Sequence, residues 1–362
     1  MSDAFRRLLK QVGSGTHTSK SLSREAAEEA MTLMLRQEAT PAQIGGFMIA
    51  HRIRRPTPEE LAGMLDAYDV LGPHVEAIAH SKVYVFCYPY DGRSRTAPVA
   101  PLVSLILAAA GVASLCHGGR RMPTKFGVPL VELWQQLGVD WTALSLTQLQ
   151  RVFEQTLLGL VYLPHHFPLA EGLTVYREEL GKRPPMASME LIWNPYRGAA
   201  TLVSGFVHPP TEERLLETLQ WRRREGQGAT RVLFVKGLEG SCDLPRDRTC
   251  ILSRHHFEAG SEGEQTHSER LLLHPAEFGQ GGPEIAYTTQ TDWQNWAEQT
   301  LAGELNPLWS AVVWNAGFYL WQANVADDLA MGIAQAQDLL VSGAARKALQ
   351  ILRQTLTPVG TA

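Results

Sequence analysis

Cysteine is scarce in this 362-residue chain, and its four thiols, Cys87, Cys116, Cys242 and Cys250, form no CxxC pair. That spacing argues against a zinc ribbon and against a disulfide framework. Long apolar runs are missing too: the greasiest stretch, Leu102 to Cys116, falls short of the ~20 residues a membrane-crossing helix needs. Residues 1–18 carry Arg6, Arg7 and Lys10 without the apolar block of a leader peptide. Nor is there an excess of positive charge. With 33 Lys+Arg against 37 Asp+Glu the formal net charge is -4, so any binding of nucleic acid must come from a local patch rather than from the molecule as a whole. These absences lead us to expect a soluble, cytoplasmic protein in a reducing compartment, with no membrane partner. At 44% hydrophobic and 19% charged, the chain can bury a substantial core and is long enough for two lobes.

What is present is strongly patterned. From Ser23 to Leu71 apolar residues recur at helical spacing, as in Ala26, Ala30, Leu33 and Met34, then Ile44, Phe47 and Met48, then Leu61, Met64 and Leu65. Ser23, Thr40 before Pro41, and Thr57 before Pro58 are cap signals, so the spacing predicts three to four helices. The pattern changes at Val83-Tyr84-Val85-Phe86-Cys87, a short run of β-formers that ends in Pro89 and Asp91-Gly92. An apolar helix over Pro101 to Ala110 and a second strand over Val112 to Leu115, running into His117-Gly118-Gly119, complete a strand-helix-strand unit, which implies a parallel sheet. Further strands are expected at Leu158 to Leu163, Ala200 to Val207 and Arg231 to Val235. Helices are expected at Ser145 to Gln155, Thr211 to Arg224 and Leu308 to Leu352. The polar stretch Ala259 to Glu269 reads as an exposed excursion.

Several clusters carry charge. Arg120, Arg121 and Lys125 follow His117-Gly118 within one loop and suggest an anion site. Arg222, Arg223 and Arg224 stand beside Trp221, which could stack on a base, although a solvated helix face accounts for such a run more simply. Arg52, Arg54 and Arg55 end the second helix of the series, where cations suit the helix dipole. His165-His166 point apart and lack a third ligand, so they read as structural.

The order of helical domain, strand with Asp-Gly loop, apolar helix and His-Gly turn resembles the anthranilate phosphoribosyltransferase family. Tyr176 to Arg183, Trp193-Asn194-Pro195, Lys236 to Gly240, Trp314 to Gly317 and Asp338 to Gly343 also match. The resemblance covers nearly the whole chain. It implies a small helical domain of residues 1–76, joined by 169–194, set on an α/β domain of residues 82–168 and 195–362 with a mostly parallel central sheet. It implies a homodimer formed through the helical domains, with Phe47, Met48 and Ile53 available for the contact. The activity it implies is transfer of ribose 5-phosphate from phosphoribosyl pyrophosphate to an aromatic amine in tryptophan biosynthesis. That reaction relies on a Gly-rich loop for pyrophosphate, on Mg²⁺ and on a held acceptor.

Against that pattern the donor loop departs. The family's Gly-Thr-Gly-Gly-Asp-Gly corresponds here to Cys87-Tyr88-Pro89-Tyr90-Asp91-Gly92, where Pro89 has no N–H and two tyrosines take up phosphate volume. The segment Pro98 to Pro101 offers no polar ligand. Around the family's metal carboxylates, Glu239-Gly240-Ser241-Cys242-Asp243 replaces one acid by a thiol, a poor Mg²⁺ ligand, which leaves Asp243 and Glu239 as candidates. Phe167 stands where the family has a histidine. Retained positions are Asp91, Gly92, His117, Gly118, Thr124, Lys125 and Arg177, with Arg93 and Arg120 adding charge to the pocket rim. Tyr90-Asp91-Gly92-Arg93 and Lys236 to Gly240 are most similar to a paralogous branch that binds nucleic acid in place of making the tryptophan precursor. The resemblance thus implies a protein with a reduced donor and Mg²⁺ site that takes nucleic acid or another anionic or phosphorylated ligand. Arg52, Arg54, Arg55, Arg121 and Arg222 to Arg224 are its patch residues. The alternative is a working phosphoribosyltransferase with an altered donor loop, using Mg²⁺.

Overall fold

A computed structural model of the chain describes residues 3–356 apart from 16, 225, 261 and 262. Four helices open it: α1 (Asp3–Gly13), α2 (Arg24–Leu35), α3 (Pro41–Arg54) and α4 (Pro58–Leu71). The cap signals act as read. Ser23 accepts the Ala26 N–H, and Thr40 with Gln43 and Thr57 with Glu60 form reciprocal capping boxes ahead of a proline at the first helical position. The helix α1 lies in residues whose charge hides their apolar pattern, yet Phe5, Leu8 and Val12 form its buried stripe. Phe5 meets Phe47 with ring centroids 5.4 Å apart. Phe47 and Met48 are therefore core residues of this bundle, and of the three apolar residues set aside for dimer contact only Ile53, 77% exposed, is free on the surface.

The second layer begins with β1 (Val83–Cys87), α5 (Ala100–Ala109), β2 (Ala113–Gly118), α6 (Leu130–Gln136), α7 (Leu146–Thr156) and β3 (Leu158–Tyr162). Short helices α8 (Leu163–His166), α9 (Pro168–Glu171), α10 (Thr174–Leu180) and α11 (Met186–Met189) intervene before β4 (Thr201–Gly205), α12 (Pro209–Arg223) and β5 (Arg231–Val235). After β6 (Cys250–Gly260) and β7 (Gly263–Leu273) come α13 (Gln290–Leu301), α14 (Trp309–Gln322), α15 (Leu329–Val341) and α16 (Ala344–Leu356). The sheet order is β3-β2-β1-β4-β5-β6-β7, parallel through β5 and antiparallel for the last two strands. Every residue of β1 is buried, as expected for a central parallel strand covered on both faces.

The stretch from Ala259 to Glu269, expected as a loose excursion, belongs instead to the long β6–β7 hairpin, whose tip residues 261 and 262 lie outside the described set. The two layers are pinned by a buried ion network. Arg222 of α12, 3% exposed, pairs with Asp66 and Asp69 of α4, while Arg24 bonds Asp66 at 2.5 Å and donates to Gln227 at 2.7 Å. The segment after β3 reaches back to the bundle: Tyr176 donates its hydroxyl to Gln37 at 2.7 Å, and Arg52 donates to the Arg183 carbonyl at 2.5 Å. All strands of the parallel part end on one side, so the loops after β1, β2 and β5 meet there, beneath the helical bundle.

Candidate functional site

The loop after β1 is filled by its own side chains. Tyr88 and Tyr90 are 8% and 6% exposed, and Tyr88 stacks on Phe86 at 6.2 Å. The Tyr90 hydroxyl lies 2.6 Å from His117 Nδ1, while His117 Nε2 lies 3.1 Å from the Trp193 carbonyl. Nε2–H donating to that carbonyl leaves Nδ1 to accept from Tyr90, which fixes one neutral tautomer. Burial holds the ring uncharged, pushing its pKa down to about 3. His117-Gly118, read as a turn toward an anion, is the end of β2, so this histidine offers no positive charge. A cavity of about 30 Å³ remains beside the loop, lined by Tyr88, Tyr90, His117 and Asp243 among others. The Asp91-Gly92 turn keeps its geometry, with Gly92 at φ 70°.

Charges gather around that turn in pairs. Asp91, 4% exposed, is met by Arg183 and by the Lys125 ammonium at 3.7 Å. Lys125 also donates to the Gly92 and Glu239 carbonyls at 3.2 and 3.0 Å, and burial draws its pKa below the usual lysine value against the opposing pull of Asp91. Arg93, itself buried, binds Asp243 and the Thr96 hydroxyl. The Val99 N–H donates to Asp243 at 3.1 Å, yet burial raises this carboxyl's pKa in spite of Arg93.

Glu239 accepts the N–H groups of Ser94, Arg95 and Thr96 at 3.2, 3.1 and 3.0 Å, and the Thr96 hydroxyl at 2.9 Å. Burial works to raise its pKa, and those donors outweigh it, bringing the value from 4.5 down to about 2. A carboxylate whose folded value is depressed contributes stability above its unfolded value and loses it as pH falls toward the folded one. Glu239→Gln should therefore lower stability at pH 7 and flatten the loss between pH 4.5 and 2, read as urea midpoints across that range. An unchanged pH slope would contradict this role.

On the acceptor side the expected cationic rim is neutralised. Arg177, 5% exposed, is paired with Glu190 and donates to Met122 Sδ at 3.1 Å. Arg120 binds Glu171 at 2.5 Å, Arg121 binds Glu132 through two nitrogens at 2.7 and 2.6 Å, and Thr124 is exposed. The proposed patch residues also separate. Arg54 is bound to Glu60, Arg222 is internal, Arg223 donates to the Gly226 carbonyl at 3.3 Å, and Arg224 lies over the Trp221 ring at 4.5 Å. Arg52 and Arg55 line one shared groove, while Arg54, though bound to Glu60, lines another. Sequence reasoning missed Arg183, Glu190 and Glu171 as partners. Arg183 belonged to the matched Tyr176 to Arg183 stretch, but nothing local marks it as the cation that closes on Asp91.

The acids do not form a metal site. One oxygen of Asp243 accepts from the Arg93 guanidinium and the Val99 N–H, Glu239 accepts three backbone N–H groups, and burial pushes the Cys242 thiol well above its usual pKa. No cluster of three or more potential ligands occurs among the described residues. Mg²⁺ therefore does not fit these side chains as arranged.

Residues 6–69 match the helical bundle domain of a glycosyl transferase family. Over most of its length the chain is 28% identical to the anthranilate phosphoribosyltransferase of Laribacter hongkongensis, covering 88% of this chain and 89% of that one. It is 29% identical to that of Methylobacterium radiotolerans, covering 96% and 95%. The fold is shared with the anthranilate phosphoribosyltransferase of Thermus thermophilus at TM-score 0.74 and 23% identity, covering 98% of this chain and 99% of that one. It is shared too with the Saccharomyces cerevisiae protein in complex with PRPP and Mg, at TM-score 0.79 and 14% identity, covering 98% of each. In sequence and fold the chain is anthranilate phosphoribosyltransferase-like. No described helix is long and apolar enough to cross a membrane.

Proposed function

We propose that this chain is a phosphoribosyltransferase of the anthranilate type that works slowly through an altered donor loop. The reading rests on the full-length similarity to enzymes of that name. The observation that carries it in the structure is the convergence of Lys125 and Arg183 on Asp91 at the strand ends. Asp91 occupies two cations that a diphosphate could take over, so donor entry exchanges an internal carboxylate for an external anion. In the transfer, the bond from the anomeric carbon to the diphosphate oxygen breaks and its electron pair leaves with the diphosphate. The amine nitrogen bonds to that carbon, and the amine proton passes to solvent. Lys125 and Arg183 stabilise the leaving charge.

Loss of one well-placed donor costs ~10²–10³ in rate, and Pro89 removes one here. From the median of ~10 s⁻¹ for ordinary enzymes, turnover is therefore expected on the order of 10⁻²–10⁻¹ s⁻¹. The test follows anthranilate fluorescence in the presence of the donor. A steady loss at that rate is expected, and none above a protein-free control would overturn the reading.

A second reading, a protein that binds a phosphorylated or nucleic-acid ligand without transfer, is favoured by one observation. The buried Tyr88 and Tyr90 leave only about 30 Å³ where a donor has to sit. Donor binding without product would select it.

A further inference from the structure

Between the end of α3 and the start of α12 lies a groove of about 720 Å³ whose charged lining is all of one sign. Arg52, Arg55, Arg183 and Arg214 face it together with His208, and no carboxylate lines it. In a chain of net charge -4 this local composition is unusual. Arg55 and Arg214 have no ion-pair partner among the described residues, in contrast to the paired arginines around the donor loop. Arg55 also holds its backbone at φ 65°, ψ 118°, a region that non-glycine residues avoid at a cost of ~1–3 kcal/mol. That conformation turns the chain out of α3 at the edge of the groove.

The lining indicates what chemistry would settle there. Planar guanidinium groups are suited to bidentate phosphate contacts, and several of them without acids suit a multiply charged ligand. Pro56, Pro184, Pro185, Pro209 and Pro210 form rigid walls, so little ordering is needed on binding. The volume falls within the ~300–1,000 Å³ typical of small-molecule sites. No Phe, Tyr or Trp lines the groove, so it lacks the stacking platform that single-stranded nucleic acid uses. Two prolines open α12, which removes N–H donors and leaves recognition to the arginine side chains.

We infer that this groove is a binding site for a small anion carrying two or more phosphate groups. The site does not depend on the transfer reading, although Arg183 links the two places: it lines the groove and also pairs with Asp91.

The test is a calorimetric titration of the full chain with inorganic triphosphate at low salt. One site per chain that depends on Arg55 and Arg214 and not on Lys125 is expected, with a dissociation constant on the order of 10⁻⁵ M. Arg55→Ala and Arg214→Ala should each weaken binding by about tenfold, the effect of losing one charged hydrogen bond, and both should melt like the parent. Orthophosphate should bind far more weakly. Absence of binding up to millimolar triphosphate, or affinity unchanged in both variants, would overturn the site. Orthophosphate binding as tight as triphosphate, or an oligonucleotide bound more tightly through the same arginines, would overturn the ligand class.

Discussion

Replacing Arg93 with methionine is expected to destabilise the protein by about 3–5 kcal/mol, the cost of leaving a buried partner charge alone. Arg93 and Asp243 are 3% and 2% exposed, so water cannot take over from the lost guanidinium. Burial already raises the Asp243 pKa with Arg93 in place, and without it the carboxyl must take up a proton to stay inside. A carboxyl whose folded value is raised keeps its stability at low pH and loses it as pH rises, so the deficit of Arg93→Met should grow from acid toward neutral pH. Adding Asp243→Asn should restore much of the loss, because replacing both partners removes the stranded charge. Urea denaturation of the two variants measures this. A single-variant loss under ~1 kcal/mol would place the pair with exposed ion pairs and contradict the geometry.

Gly205→Ala is the second large effect. A Cβ on this residue would fall 2.2 Å from the Gly240 carbonyl oxygen and 2.3 Å from that of Ser241, inside any tolerable contact. The Lys236 to Asp243 turn rests directly on the end of β4, and it carries both Glu239 and Asp243. Backbone cannot swing aside as a flexible side chain can, so the cost should reach or exceed the ~1–3 kcal/mol of an overpacked core. The displaced turn should also lose the Glu239 contacts to Ser94, Arg95 and Thr96. Gly118→Ala is the control, because nothing lies within 4 Å of a Cβ there. Denaturation midpoints should separate the two glycines clearly. A Gly205→Ala protein as stable as Gly118→Ala would show that the turn is not held against β4.

Much of the architecture was legible because it is written in local signals. The run Val83 to Cys87 and the Ser23, Thr40 and Thr57 caps depend on residues within a few positions of one another, and they fold as read. The β6–β7 hairpin escaped because polar residues such as Arg254, His256, Glu258 and Glu269 interrupt its strands and leave no clear alternation. The helix α1 carries its signal in Phe5, Leu8 and Val12, a short stripe that Arg6, Arg7 and Lys10 obscure. In the site, the altered loop was visible in Tyr88, Pro89 and Tyr90. The pairing of the cations was not, since Asp91 meets Arg183 and Arg93 meets Asp243 across 92 and 150 residues of sequence. Charge counted along a chain says where a cation is, and only the tertiary structure says whether an acid has already claimed it.

The central claim, that a phosphoribosyl donor can replace Asp91 on Lys125 and Arg183, is tested most directly by calorimetric titration with phosphoribosyl pyrophosphate in Mg²⁺ buffer. The account predicts saturable binding near the weak end of the ~1 µM–1 mM span of ordinary substrates, weakened at least tenfold by Lys125→Met. Absence of binding at ~10 mM donor, beyond that span, or binding indifferent to Lys125→Met, would contradict it.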